Sequence, residues 1–159
     1  MHKELWYKEY DPARRFIVKI TPGSNIVRKL KKFAKTENVK NAVILSAVGS
    51  VKNVTFRGVK TGAKLPITEP RIMIHNVEGP LELLGLEGNI FPDESGEPDA
   101  HLHIMMAKSS GEVIGGHMYD CDVFASCEIL LQELIVTGVE RHISATGGTS
   151  TIFIEGEEI

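Results

Sequence analysis

The sequence predicts a single α+β domain, and three observations support that fold class. Its 159 residues, 42% of them hydrophobic and 25% charged, suit one globular domain with a sizeable core. One segment repeats its apolar residues with the period of an amphipathic helix, whereas most of the remaining chain consists of short β-rich runs. Glycine and proline separate these runs, as they do where strands are joined by turns. Residues 1–159 are therefore expected to form one domain.

The first two predicted elements are a strand and a helix. Residues 15–20 form a β-rich run that ends before Pro22 and Gly23. Ser24 is the expected N-cap of a helix that ends near Asn38. The other face of this helix is basic, and a solvated surface is the common reason for such a face, with contact to nucleic acid as the alternative. The basic residues are Arg28, Lys29, Lys31, Lys32 and Lys35.

Strands dominate the rest of the chain. They are predicted at residues 42–48, 51–56, 71–77, 81–90, 101–107 and 113–118. Residues 91–99, which include two prolines and four acids, are predicted to be a loop, and the polar segment 108–112 suits a hairpin turn. Residues 129–136 fit a helix or a strand by periodicity, and residues 152–154 are a candidate terminal strand.

Composition limits the compartment and the partners. A net charge of -3 excludes strong bulk attraction to a phosphate backbone, so any contact with DNA must be local and weak. Cys121 and Cys127 are too few for a disulfide framework, and the amino terminus lacks the pattern of a secretory signal. No apolar run reaches the roughly 18 to 20 residues of a membrane helix. These features predict a cytoplasmic protein that does not contact a membrane.

Three histidines form the candidate functional site. His101 and His103 are two residues apart on a predicted strand, so their side chains lie on the same face. A hairpin centred on Ser110 would place His117 directly opposite His103, with Cβ atoms about 4.5 to 5.5 Å apart. A turn that is one residue longer or shorter would move His117 to the other face. The cluster therefore depends on the register of the hairpin.

Three converging imidazoles suit a divalent metal ion, and zinc is the expected one. Imidazole nitrogen is a good zinc ligand, and three protein ligands leave a fourth position for water or substrate. Gly115 and Gly116 remove two side chains beside His117, as close approach of a ligand or a neighbouring chain requires. The alternative interpretation is that the histidines decorate a polar sheet face. The remaining histidines, His2, His75 and His142, have no comparable spacing.

Four motifs, in fixed order, connect the chain with a known family. They are GPLELLG at 79–85, GNI at 88–90, HLHI at 101–104 with its continuation to Ala107, and GEVIGGH at 111–117. Together with Arg28, Leu30, Phe33 and Arg141, they resemble the plant and prokaryote conserved (PPC) domain, which also occurs in plant AT-hook proteins. The resemblance covers nearly the whole chain.

The resemblance implies a mainly antiparallel β-sheet packed with a few helices, assembled as a homotrimer. It assigns the metal cluster of the family to His101, His103 and His117. In the plant relatives, DNA binding belongs to a separate AT-hook with an Arg-Gly-Arg-Pro core, which this sequence lacks, and the domain mediates self-association and contacts with other proteins. The segment linked with partner contact corresponds to Gly79, Leu81, Glu82, Leu83, Leu84 and Gly85, with Pro80-Leu81 where Arg-Phe is usual.

Three functions fit these features. The favoured hypothesis is a DNA-associated or regulatory binding module in which the histidines hold a structural or sensory metal. The second is a metal-dependent enzyme, a hydrolase or lyase acting on a small molecule, with Glu82, Glu87 and Glu112 as candidates for the general base. The third is a purely structural cluster. Motifs for a serine nucleophile, a phosphate-binding loop and a Cys-x-x-Cys pair do not occur.

Overall fold

The computed structural model describes residues 4–158. Within that range, eight strands accompany one α-helix and one turn of 3-10 helix at Glu69–Arg71. The elements are β1 (Asp11–Ile20), α1 (Ile26–Thr36), β2 (Ala42–Val59), β3 (Ile72–Val77), β4 (Leu81–Pro92), β5 (Pro98–Ala107), β6 (Val113–Ile135), β7 (Val139–Ile143) and β8 (Ser150–Ile154). The predicted α+β fold with a mainly antiparallel sheet is confirmed, although α1 is the one α-helix of the described residues where a few helices were expected.

The sheet closes on itself. Strand β2 pairs with β4 on one edge and with β6 on the other, while β5 joins β4 to β6. These four antiparallel strands therefore form a ring, to which β1 and β3 add at the edges. Strands β7 and β8 form a separate hairpin. Closure protects strand edges that would otherwise expose unpaired backbone groups.

Helix α1 covers the core on one side of the sheet. Ile26, Leu30 and Ala34 are buried at helical spacing, as the apolar period predicts. The N-cap is Asn25, not Ser24, because the Asn25 side chain accepts a hydrogen bond from the backbone N–H of Arg28. The Ser24 carbonyl instead accepts from the N–H of Val123, so the chain is still held against a strand at that position.

Several predicted boundaries shift once the strands pair. The segments 42–48 and 51–56 are parts of one strand, because Gly49, at φ +155°, forms an irregularity against β6 and does not end the strand. The predicted loop 91–99 is shorter, since β4 extends to Pro92 and β5 begins at Pro98. Residues 129–136 belong mainly to β6, between β1 and β2. Strand β7 was not predicted, whereas the terminal strand is confirmed as part of β8.

None of the helices within residues 4–158 combines the length and the apolar character that crossing a membrane requires.

Candidate metal centre

Strands β5 and β6 bring the three predicted histidines together. His103 pairs directly with His117 across the two strands, so the predicted hairpin register is confirmed. His101 lies two residues before His103 on the same strand face. The pair of His103 and His117 is the last of this ladder, and the two strands do not pair beyond it. The cluster therefore sits where β5 and β6 separate.

The three imidazoles converge at one point. Each residue offers a ring nitrogen, and these nitrogens all lie within 4.8 Å of one another. The ring centroids are separated by 5.0 to 5.4 Å. The Nε2 atoms of His101 and His103 are 3.2 Å apart. Two nitrogens that share a tetrahedral zinc ion at about 2.0–2.1 Å lie about 3.3–3.4 Å apart, so this pair already has the spacing of a shared ligand set.

The same short distance has a second interpretation. Nε2 of His101 and Nε2 of His103 are also within range of a hydrogen bond between neutral rings, in which one nitrogen donates to the other. A metal ion needs the lone pair of each nitrogen, and that arrangement is incompatible with a proton between them. Metal and proton therefore compete for the same pair of atoms.

The surroundings of the cluster disfavour protonated imidazole. Burial, and then the positive charge of Arg57, lower the pKa of His117 to about 4. Burial, and then the positive charge of Arg141, lower the pKa of His101. A buried imidazolium loses hydration and is repelled by nearby guanidinium groups, so the neutral ring is favoured. At neutral pH, both rings therefore carry the lone pair that a metal ligand requires.

A row of side chains crosses the sheet through the cluster. Arg57 on β2 pairs with His117, His117 pairs with His103, and His103 pairs with Glu87 on β4. Directly paired residues of antiparallel strands share a face, so the two histidines lie between a cation and an acid. The Arg57 guanidinium also lies 5.7 Å from the centroid of the Tyr119 ring. No sequence pattern pointed to Arg57, because nothing local links β2 with the hairpin. Tyr119 is two residues from His117 on β6, so the period of that strand was a signal for it that was missed.

Gly115 and Gly116, directly before His117, allow the backbone of the two neighbouring strands to approach closely. A Cβ at Gly115 would collide with the carbonyl oxygen of Ile104 on β5, and a Cβ at Gly116 would collide with that of Arg57 on β2. Both glycines therefore allow close approach of neighbouring strands of the same chain. Since β6 is held closely by both neighbours here, His117 has a fixed position.

A cavity opens beside the cluster where β5 and β6 separate. Its volume is about 240 Å³, and it reaches from His101 and His117 to the side of α1. Charged side chains from three elements line it: Lys31, Asp99 and Arg141. The resemblance marked Arg141 without a role, and no sequence signal connected Lys31 with the histidines.

The basic face of α1 is partly neutralised. Nζ of Lys31 lies 2.8 Å from Oδ1 of Asp99. Nζ of Lys35 lies 2.8 Å from Oε2 of Glu97, in the segment between β4 and β5. Arg28, Lys29 and Lys32 are exposed. The cationic surface available to a nucleic acid is therefore smaller than the sequence alone indicates.

The segment predicted for partner contact, 79–85, alternates between core and surface. Leu81 and Leu83 are buried, whereas Glu82 and Leu84 are exposed. A partner would therefore meet Glu82 and Leu84, and contact by this segment stays a prediction.

The other histidines and the cysteines do not join the cluster. His75 stacks on Phe56, His142 lies near two glutamates, and His2 is outside the described residues. Cys121 and Cys127 are free and fully buried. Burial raises the pKa of Cys121 to about 12 and that of Cys127 to about 11, so both remain thiols at neutral pH.

Comparison with known proteins gives a family match. The model of the Plants and Prokaryotes Conserved (PCC) domain matches residues 7–135. Among curated relatives, the bifunctional protein GlmU of Synechococcus sp. (strain JA-3-3Ab) is 27% identical over 143 residues, which are 89% of this chain and 21% of GlmU. The AT-hook motif nuclear-localized protein 14 of Arabidopsis thaliana is 32% identical over 101 residues, 63% of this chain and 22% of that protein. The chain thus spans about a fifth of the length of these relatives.

Two solved structures share the fold. A plant- and prokaryote-conserved protein from Pyrococcus horikoshii has a TM-score of 0.79 and 25% identity, covering 98% of this chain and 100% of that one. A metal-containing protein from Archaeoglobus fulgidus has a TM-score of 0.80 and 25% identity, covering 94% of this chain and 99% of that one.

Proposed function

The chain belongs to the Plants and Prokaryotes Conserved domain family, and on that premise we propose that it is a homotrimeric, cytoplasmic binding module, DNA-associated or regulatory, with a divalent metal ion in each subunit. His101, His103 and His117 hold the ion, and zinc is the expected metal. The observation that carries the metal site of this proposal is the convergence of three ring nitrogens within 4.8 Å.

The donor set fits a late first-row divalent ion. Three imidazoles are borderline ligands that suit zinc, copper or nickel better than magnesium or calcium, which prefer oxygen. The lowered pKa values of His101 and His117 keep two of the ligands neutral. A bound ion would supply Lewis acidity or a structural link between β5 and β6. The solved structure from Archaeoglobus fulgidus, which is described as metal-containing, supports a metal in this fold.

An exposed apolar stripe on the sheet supports self-association. Ile17 on β1 is 86% exposed and pairs with Leu130 on β6, which is 45% exposed. Leu130 in turn pairs with Ser46 on β2, next to the exposed Leu45. Contiguous apolar surface of this kind marks interaction sites on soluble proteins. A homotrimer would cover it with copies of the same chain.

Association with DNA draws support from a relative and from α1. The Arabidopsis relative is named for an AT-hook motif and nuclear localisation. Three exposed cations on α1, Arg28, Lys29 and Lys32, supply a small basic surface, and a trimer presents it three times. Multivalent contact strengthens weak binding where the geometry allows simultaneous engagement. The net charge of -3 keeps each single contact weak.

The first test is metal analysis of the purified protein by plasma mass spectrometry, after purification without an affinity tag that binds metal. We expect about one equivalent of metal per subunit, lost when His101, His103 and His117 are all changed to alanine. The matched control is His75→Ala, which removes an exposed imidazole outside the cluster and should keep the metal. No metal in the wild-type protein after incubation with zinc, nickel and manganese would contradict the proposal.

A metal-dependent hydrolase or lyase is the second candidate, and one observation favours it. Of the three glutamates considered as general base, Glu87 pairs directly with His103. Glu82 pairs instead with Ala107, and Glu112 forms an ion pair with Lys108 in the hairpin turn. Glu87→Gln in metal-loaded protein is the variant to compare in any hydrolytic screen. Loss of activity with full metal content would support this function.

A further inference from the structure

We propose that the opening between β5 and β6 binds a small carboxylate- or phosphate-bearing molecule whose anionic group is held by Arg141 and Lys31. The inference deepens the proposed metal centre, on which it rests for the position of the ligand, because the same cavity is lined by His101 and His117. It names a ligand class that neither the fold nor the histidines specify by themselves.

The opening is a consequence of strand pairing. Beyond the pair of His103 and His117, β6 continues along β2, whereas the earlier part of β5 pairs with β4 only. Residues of both strands line the gap, including Ala100 and Met118, and so do Val27 and Lys31 of α1. It is therefore a built cavity with walls from the sheet, the helix and the β7–β8 hairpin.

Arg141 is an unusual wall residue. Its side chain is only 2% exposed, although guanidinium groups are almost never fully buried without complete pairing. Nη2 donates to Asn89 Oδ1 at 2.6 Å, which fixes one side of the group. Nε has no hydrogen-bond partner among residues 4–158, and the nearest carboxylate, Asp99 Oδ2, lies 3.4 Å away without hydrogen-bond geometry. The guanidinium therefore places a positive charge in the cavity wall that Asp99 compensates without a hydrogen bond from Nε.

The charge around the cavity favours an anion. Lys31 and Arg141 both form ion pairs with Asp99. Oδ1 of Asp99 lies 2.8 Å from Nζ of Lys31, and Oδ2 lies 3.4 Å from Nε of Arg141. Among the residues that line the cavity, one carboxylate therefore stands against two cations. A divalent ion held by three neutral imidazoles would add two further positive charges that no ligand compensates. An incoming carboxylate or phosphate would balance this excess.

Size and donor geometry define the ligand class. A cavity of about 240 Å³ is smaller than the roughly 300–1,000 Å³ of sites for drug-sized ligands, so a molecule of few heavy atoms fits it best. The planar guanidinium fork matches the paired oxygens of carboxylate and phosphate groups. Both anions share this chemistry, and separate titrations distinguish them.

The test is calorimetric titration of the full chain with malonate and, separately, with inorganic phosphate, in zinc-loaded and metal-free protein. The variants are Arg141→Gln and Lys31→Gln. The control is Lys35→Gln, which also removes an ion pair between α1 and the β4–β5 segment but does not line this cavity. We expect at least one anion to bind, with Kd raised about ten- to a hundredfold by Arg141→Gln. Lys31→Gln should raise Kd less, and Lys35→Gln should leave it unchanged.

The outcomes separate this inference from the metal proposal. Protein that retains zinc but binds neither anion overturns the inference alone. If the wild-type protein takes up no metal in the metal analysis but still binds an anion through Arg141, the metal proposal is contradicted and the inference is supported. Arg141 also links β7 to the sheet, so a lower Tm in Arg141→Gln with unchanged Kd would show a structural role and overturn the inference. If Arg141→Gln does not fold, Lys31→Gln provides the test. Equal Kd values for Lys31→Gln and the wild type would then overturn the inference.

Discussion

At the scale of single residues, the half-buried Arg57 and the buried Arg141 contribute to the electrostatics of the histidine cluster. Arg57 and Arg141 both have an Nε atom that is buried without a hydrogen-bond partner in the described part of the chain. Both lower the pKa values of His101 and His117. Native proteins leave few buried donors unpaired, and such exceptions concentrate where a ligand or a function accounts for them. The cationic surroundings therefore favour neutral imidazole in the cluster.

Charge removal at Arg57 should be measurable on His117. In metal-free Arg57→Met, we expect the pKa of His117 to rise above its wild-type value of about 4, because the second largest cause of its depression is removed. It should remain below the ordinary histidine value, since burial is the largest cause. NMR titration of the imidazole signals measures the pKa of His117. The control is Arg15→Met, which removes an exposed arginine of β1. An unchanged pKa would contradict the proximity inferred from the β2–β6 pairing.

The lowered pKa of His117 also predicts the pH dependence of stability. As the pH falls below about 6.5, the unfolded chain binds a proton at this residue before the folded chain does. The free energy of unfolding of the metal-free protein should therefore decrease from that pH down to about 4, where folded His117 also becomes protonated. Denaturant titrations at several pH values test this. His117→Asn should flatten the decrease, and an equally steep decrease in that variant would assign it to other groups.

At the scale of elements, the position of the site depends on how closely β6 contacts its neighbours. Gly116 is in contact with β2, where Phe56 and the Arg57 carbonyl would meet an added Cβ. Gly58, also on β2, has open space around the same position. The two glycines thus provide a matched pair for testing whether close strand packing holds the histidines together.

Gly116→Ala should destabilise the fold, whereas Gly58→Ala should not. A methyl group forced against backbone in a packed sheet costs about 1–3 kcal/mol, while an open position tolerates it within about 0.5 kcal/mol. Chemical denaturation gives the free energy of unfolding, and zinc affinity reports the geometry of His117. Equal stability of the two variants would argue against close packing at Gly116.

At the scale of the whole molecule, the proposed homotrimer would act through the apolar stripe and the basic helix face. The stripe crosses β1, β6 and β2, so it belongs to no single element. Its residues are exposed in one subunit, as Ile17 shows at 86%. Covering this surface is favourable at roughly 25 cal/mol per Å² of apolar area removed from water. A closed homotrimer would gain that burial three times.

Leu130→Glu should dissociate the trimer. A carboxylate in the stripe would have to lose hydration at the interface, whereas the free subunit leaves it in water. Light scattering coupled to gel filtration should give three times 17.5 kDa for the wild type and 17.5 kDa for the variant. Ile143→Glu is the control, because Ile143 is an exposed apolar residue on β7, outside the stripe. A wild-type mass of 17.5 kDa would contradict the homotrimer.

If the basic face of α1 contacts DNA, affinity should fall with salt. Each neutralised phosphate contributes a slope of about -0.9 to log K against log salt concentration. Lys29→Gln combined with Lys32→Gln should weaken binding and reduce the slope by about two per engaged subunit. Fluorescence anisotropy with labelled duplex DNA measures both quantities. Lys35→Gln is the control, since Lys35 is already paired with Glu97. Binding that does not respond to salt would exclude this surface.

Local patterns were sufficient to predict the elements that carry the candidate metal ligands. The two-residue period places His101 and His103 on one face, and a five-residue turn brings His117 opposite His103. The period of α1 likewise predicted the buried faces of Ile26 and Leu30. Each of these results depends on residues that are near one another in sequence, so the backbone geometry of a strand, turn or helix determines them.

What the sequence by itself determined is therefore the helix, most of the strands and the shared strand face of His101 and His103. The hairpin register that brings His117 to them was decided by the strand pairing of the structure. Only the tertiary structure decided that residues 129–136 are strand, because their periodicity is ambiguous until β1 and β2 pair with them on either side. It also decided that Arg57 and Arg141 stand beside the histidines and that a cavity opens where β5 and β6 separate. These features depend on pairing and burial between distant segments, and such contacts leave no local period in the sequence.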